Sequence, residues 1–169
     1  MKRSLLLFAG IVACAGILPA QNAMIAENKQ NYEIIKTNIL KSLEKMPDEA
    51  YTFQPTKEER TWAEFMGHIA DAQTGICSAA TGDPKRGTAA KLTAKADLIK
   101  AIQASNEVCD AAWAGTTEAN MGTAVKRGNR DMTRLGVLIY NTTHDNESYG
   151  TMVVYLRLKG LVPPSSEKK

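Results

Sequence analysis

"RLGVLIYNTTHDNESYGTMVVYLRLKG", residues 134–160, is the stretch on which the fold turns. It starts just after Thr133, a residue suited to capping a helix, and ends at Gly160, suited to stopping one. At about 100° per residue, Leu135, Leu138, Thr142, Tyr149, Val153 and Leu156 fall in one band, the expected core stripe. A second band beside it holds Val137, Asn141, His144, Ser148, Met152 and Tyr155. Asn141, His144 and Ser148 thus form a polar row bordered by apolar residues. Buried polar groups need partners, so the row predicts a partly enclosed hollow with Asn141, Met152 and Tyr155 on its wall.

Three further helices are legible upstream. Tyr32, Ile35, Ile39, Leu43 and Met46 recur at three- and four-residue steps until Pro47 stops them. After the polar stretch "PDEAYTFQPTKEER", Thr61 and Glu64 stand at capping-box spacing and open a second helix. Its stripe is Trp62, Phe65, Ile69, Ala72 and Ile76, and Gly82 ends it. Thr93 is the expected cap of the third, whose stripe is Leu98, Ile102, Ser105, Cys109 and Ala112 before Gly115. Residues 116–132 show no periodicity and read as a long loop, and no segment reads as a strand. The reading is an all-α four-helix bundle.

Residues 1–20 have the layout of an export signal: Lys2 and Arg3, then apolar Leu5 to Leu18, then "LPA". Cleavage after Ala20 is favoured, with acylation of Cys14 in "IVAC" as the alternative. The bundle domain is then 21–162, and 163–169 reads as a disordered tail. An exported product would be periplasmic or extracellular, without a transmembrane segment once mature. The chain has 21 Lys+Arg against 18 Asp+Glu. Removing Lys2 and Arg3 leaves near-neutrality, so no nucleic-acid partner is expected. Lys126, Arg127 and Arg130 could meet an anionic substrate, though solvated loop charges are the simpler reading. Oligomeric state stays open, a homodimer being one option.

The chain's two histidines, His68 and His144, both sit mid-helix at the margin of an apolar stripe. "MGHIADAQ" around His68 and the closing "HDNE-x-YG…YLRLKG-x-VPPSS" resemble the DinB/YfiT-like superfamily, a likeness extending over essentially the whole mature chain. The resemblance implies an up-down-down-up bundle with helices two and three parallel. It also implies a divalent metal (Zn, Ni, Fe or Mn) on three histidines, and a hydrolase or thiol-transferase type of activity in some members. Position by position, His68 and His144 match two ligands, and the third slot holds Ser148. A neutral hydroxyl is a poor zinc or nickel ligand beside imidazole. Glu147, about 60° from His144 on the wheel, is a candidate substitute ligand, and Asp71 a similar outside one. No catalytic residue is assigned. The rival reading is a non-catalytic module that binds a small molecule or a protein and has lost its metal.

Cys77 and Cys109 each lie about sixteen residues into a helix, so they share a height only if those helices run parallel. The topology implied by the resemblance makes them so, and a Cys77–Cys109 disulfide is expected on that basis. The alternative is two free buried thiols.

Overall fold

The computed structural model describes residues 18–168. The expected export signal, including Cys14, lies outside the described residues except for Leu18 to Ala20. Among the described residues the α-helices are α1 (Leu18–Lys45), α2 (Trp62–Ala80), α3 (Lys95–Ala114) and α4 (Arg134–Leu158). Between α3 and α4 stand two short strands, β1 (Ala124–Arg127) and β2 (Arg130–Thr133). Among the described residues, no helix is long and apolar enough to cross a membrane.

Local chemistry explains most of the helix ends. The Thr61 hydroxyl accepts from the Glu64 backbone N–H, and the Glu64 carboxylate accepts from that of Thr61, closing the capping box that opens α2. This contact holds the Glu64 carboxyl below its ordinary range. Gly82, at φ 81°, follows α2, and the Thr133 hydroxyl accepts from Gly136 N–H to start α4. The third helix departs from expectation. Its cap is Ala94, not Thr93, with no side-chain hydrogen bond.

The hydrophobic stripes converge on two adjoining clusters. One gathers Ile39, Leu43, Trp62, Met66, Ile69, Leu98, Ile102, Met152 and Tyr155. The other gathers Tyr32, Ile76, Ala112, Trp113, Val137 and Leu138 around the sulfurs of Cys77 and Cys109. Along α2 and α3, Gln73 meets Ser105 and Cys77 meets Cys109, so the contacts advance in the same sense on both helices. Along α2 and α4 the sense reverses: Trp62 meets Tyr155, and Gln73 meets Asp145.

Two expectations are corrected. Residues 124–133 form an antiparallel hairpin, with Val125 opposite Met132 and Arg127 opposite Arg130. Gly128, at φ 58°, supplies the left-handed conformation that a tight two-residue turn requires. The tail is likewise ordered through Lys168. Pro163 and Pro164 are buried, and a short 3-10 turn spans Pro164–Ser166. Tyr149 donates to the Ser165 hydroxyl and accepts from its backbone N–H. Lys45 pairs with Glu167 and also donates to the Val162 carbonyl. The tail thereby closes one end of the bundle over Tyr149.

Candidate functional site

Capping and periodicity set the rotation of α2 and α4, and that rotation turns His68 and His144 toward each other. Their ring centroids lie 5.6 Å apart at an interplanar angle of 61°. Both rings are half-buried and border two open clefts. The cleft on the hairpin side, about 540 Å³, also involves Asp71, Ile76, Arg127 and Tyr140. The opposite cleft, about 310 Å³, involves Glu59, Arg60, Phe65, Glu147, Ser148 and Thr151. Ser148 therefore shares a wall with the imidazoles, and exposed Glu147 stands at the rim.

Other expected members of the pocket lie elsewhere. Met152 and Tyr155 are fully buried in the apolar core, where Tyr155 packs on Trp62, Phe65 and Phe53. Tyr155 donates its hydroxyl to the Arg60 carbonyl. Asn141 is also fully buried, and its amide donates to Asp145 Oδ2 at 2.8 Å. Neighbouring helices cover all three.

Asp145 is the residue that pattern reading passed over. It is 1% exposed. Besides Asn141, Gln73 Nε2 donates to Asp145 Oδ2 at 2.9 Å, while Gln73 Oε1 accepts from the Ser105 hydroxyl at 2.6 Å. One polar chain thus crosses α3, α2 and α4 inside the bundle. The other carboxylate oxygen, Oδ1, lies 3.5 Å from His144 Nδ1, and neither atom has a hydrogen-bond partner. The Nδ1 edge of the ring thus lies on the Asp145 side of the imidazole.

Asp71 is not a free ligand. Its two oxygens accept from the Ala89 and Ala90 backbone N–H groups at 2.7 and 3.0 Å. This clasp fastens the segment between α2 and α3 along α2. The approach is so close that a Cβ on Gly67 would come within 2.6 Å of the Ala89 carbonyl oxygen, and one on Gly87 within 2.1 Å of Asp71 Oδ1. Among the described residues, no group of three or more His, Cys, Asp or Glu could hold a metal ion.

Burial holds the His68 pKa below its ordinary value of 6.5, with Arg60 and His144 adding to the effect and Asp71 opposing it. The unfolded chain then binds more protons than the native one, so stability is kept above the unfolded value and declines as pH falls through it. We expect a lower unfolding midpoint in denaturant at about pH 5.5 than at about pH 7.5, and a shallower slope in His68→Gln. Equal slopes in the two proteins would contradict this account.

The bundle has counterparts among known proteins. The family model described as the DinB superfamily matches residues 32–152. The chain belongs to the DinB superfamily. Among solved structures, a DinB-like protein from Bacillus cereus ATCC 10987 is similar at 21% identity. The match covers 81% of this chain and 93% of that one, with a TM-score of 0.69. At that identity the likeness concerns the fold alone. Among curated proteins none matches.

Proposed function

We propose that this DinB-superfamily chain is an exported metal-dependent enzyme of hydrolase or thiol-transferase type, with a reduced metal site on His68 and His144. The observation that carries the reading is the meeting of the chain's two imidazoles, 76 positions apart in sequence, at a 5.6 Å centroid separation beside open clefts. Two imidazoles on one tetrahedral ion, with nitrogen–metal distances of about 2.0–2.1 Å, would have centroids roughly 5 Å apart. The observed centroid separation is close to that spacing, which supports two donor positions. The third does not fit the three-histidine pattern, because Ser148 offers a neutral hydroxyl and Asp71 is engaged elsewhere. The reading is accordingly of a weakly held ion with waters in its open positions.

Such an ion would supply Lewis acidity and an acidified water. The protein's own groups have separate tasks. Asp145, with Oδ1 3.5 Å from His144 Nδ1, stands behind the ring in the place from which carboxylates orient metal-binding histidines. Ser148 orients a water at the vacated position. Burial shifts the His68 pKa downward, in favour of the neutral ring that can donate a lone pair. The Cys77–Cys109 bridge supports an oxidising compartment, periplasmic or extracellular.

A second reading is favoured by the lack, among the described residues, of a third strong donor: a metal-free pocket that binds a small molecule. Metal analysis separates the two. Protein purified without chelator and reconstituted with zinc or nickel should hold one ion weakly. Ser148→His should bind it at least about tenfold more tightly by completing the donor set. No stoichiometric ion in either protein would leave the metal-free reading.

A further inference from the structure

The hairpin that interrupts the helical pattern places Arg127 on the cleft that the imidazole pair borders, with Arg130 opposite it on the partner strand. Side chains alternate across a strand, so Val125 and Arg127 share one face of β1, with Met132 and Arg130 opposite them on β2. Val125 and Met132 pack on the core, which makes this the face turned toward the bundle. On the other face Lys126 pairs with Asp131 at 2.6 Å. The outward charges of the hairpin are thus matched, while Arg127 and Arg130 form no ion pair among the described residues. Like charges directly opposite one another destabilise a hairpin unless something neutralises them.

Arg127 is also fixed in place. Its guanidinium carbon lies 3.8 Å from the centroid of the Tyr140 ring, on the wall of the cleft that both histidines border. The acidic residue on that cleft, Asp71, has both oxygens occupied by backbone N–H groups. In the opposite cleft, Arg60 shares its surroundings with Glu59 and Glu147. On the hairpin side, a guanidinium without an ion pair among the described residues lines the same cleft as the imidazoles, and no unengaged carboxylate does.

We propose that the cleft between the hairpin and the imidazole pair binds small organic anions, with Arg127 and Arg130 gripping a phosphate, phosphonate or carboxylate group. The rest of such a ligand extends past Tyr140 toward His68 and His144. The inference rests on the preceding reading in taking the imidazole pair as the centre of function, and it names the substrate class that centre would receive.

The test is NMR titration of the full mature chain with phenylphosphonate, benzoate and benzyl alcohol, following the Arg127 and Arg130 Nε–H and histidine Cε1–H signals. Both anions should shift these signals saturably, and benzyl alcohol should bind at least about tenfold more weakly. A preference for phenylphosphonate points to phosphate esters, and equal affinities point to carboxylates. Arg127→Ala and Arg130→Ala should each weaken phenylphosphonate about tenfold, Arg127→Lys less, and Lys100→Ala on the exposed face of α3 not at all. Arg127→Lys keeps the charge and guards against a hairpin lost in the alanine variant. Unchanged affinity in the folded Arg127 variants, or equal binding of benzyl alcohol, overturns the proposal. A parallel nickel titration reads the metal site separately: histidine broadening by nickel without anion binding sinks only this inference. Anion binding at the arginines without nickel broadening sinks only the metal reading.

Discussion

Loss of the Cys77–Cys109 bridge is expected to lower stability by about 3–4 kcal/mol, the cost in chain entropy of releasing a loop of roughly thirty residues. The sulfurs join α2 to α3 with a sequence separation of 32. Both cysteines are fully buried beside Ile76, Trp113 and Val137, so the effect belongs to the bond and its packing together. A Cys77→Ala/Cys109→Ala double variant avoids leaving thiols that can be reoxidised. Guanidinium unfolding of oxidised wild type, reduced wild type and the double variant measures the difference. Since reductant reaches the sulfurs only when the bundle opens, reduction of native protein should be slow and should speed up near the unfolding transition. An unchanged midpoint on reduction, with two titratable thiols in the denatured and unreduced chain, would falsify the assignment.

The second large effect is expected at Asp145. In Asp145→Ala, the amides of Gln73 and Asn141 lose their shared acceptor inside the bundle. Each buried donor left without a partner costs about 1–3 kcal/mol, and relief of the buried carboxylate's desolvation offsets part of the sum. We expect a net destabilisation of about 2–4 kcal/mol. Asp145→Asn keeps one acceptor oxygen and should recover about half of that loss. The two variants separate polar satisfaction from charge. If both proved as stable as wild type in urea unfolding, the network from Ser105 through Gln73 to Asp145 would have no structural role.

These two positions also show what could be read from the chain and what could not. Helical spacing makes α1, α2 and α4 visible because each buries one stripe and starts or stops at a residue with a reason to do so. The Thr61 and Glu64 pair, Pro47 and Gly82 are local signals, and they survive folding unchanged. The meeting of His68 and His144 has a similar basis, since each lies at the edge of a stripe that fixes which way it faces.

Asp145 was not legible because its burial depends on amides from a different helix. Taken alone, an acidic residue on a helix flank reads as solvated. Asn141, Met152 and Tyr155 show the opposite error. Their angle on α4 was read correctly, but a wheel cannot tell a cleft wall from packed interior. The hairpin carried one usable signal, the Gly128–Asn129 dipeptide between short runs ending in Val125 and Met132. Four charged residues, Lys126, Arg127, Arg130 and Asp131, hid the alternation on which strand reading relies. The tail hid for want of periodicity. Its order comes from Tyr149 and Lys45, which its own residues do not announce.

The clasp of Asp71 on the Ala89 and Ala90 amides gives a stretch without helix or strand an unusual degree of shelter. In heavy water, amides in connecting segments generally lose their protons first, because nothing holds them away from solvent. Here those two should trade hydrogen for deuterium on a timescale closer to that of the helix interior beneath them. An isotope-uptake map would then show a protected island between α2 and α3, marking where an irregular segment is secured as part of the scaffold.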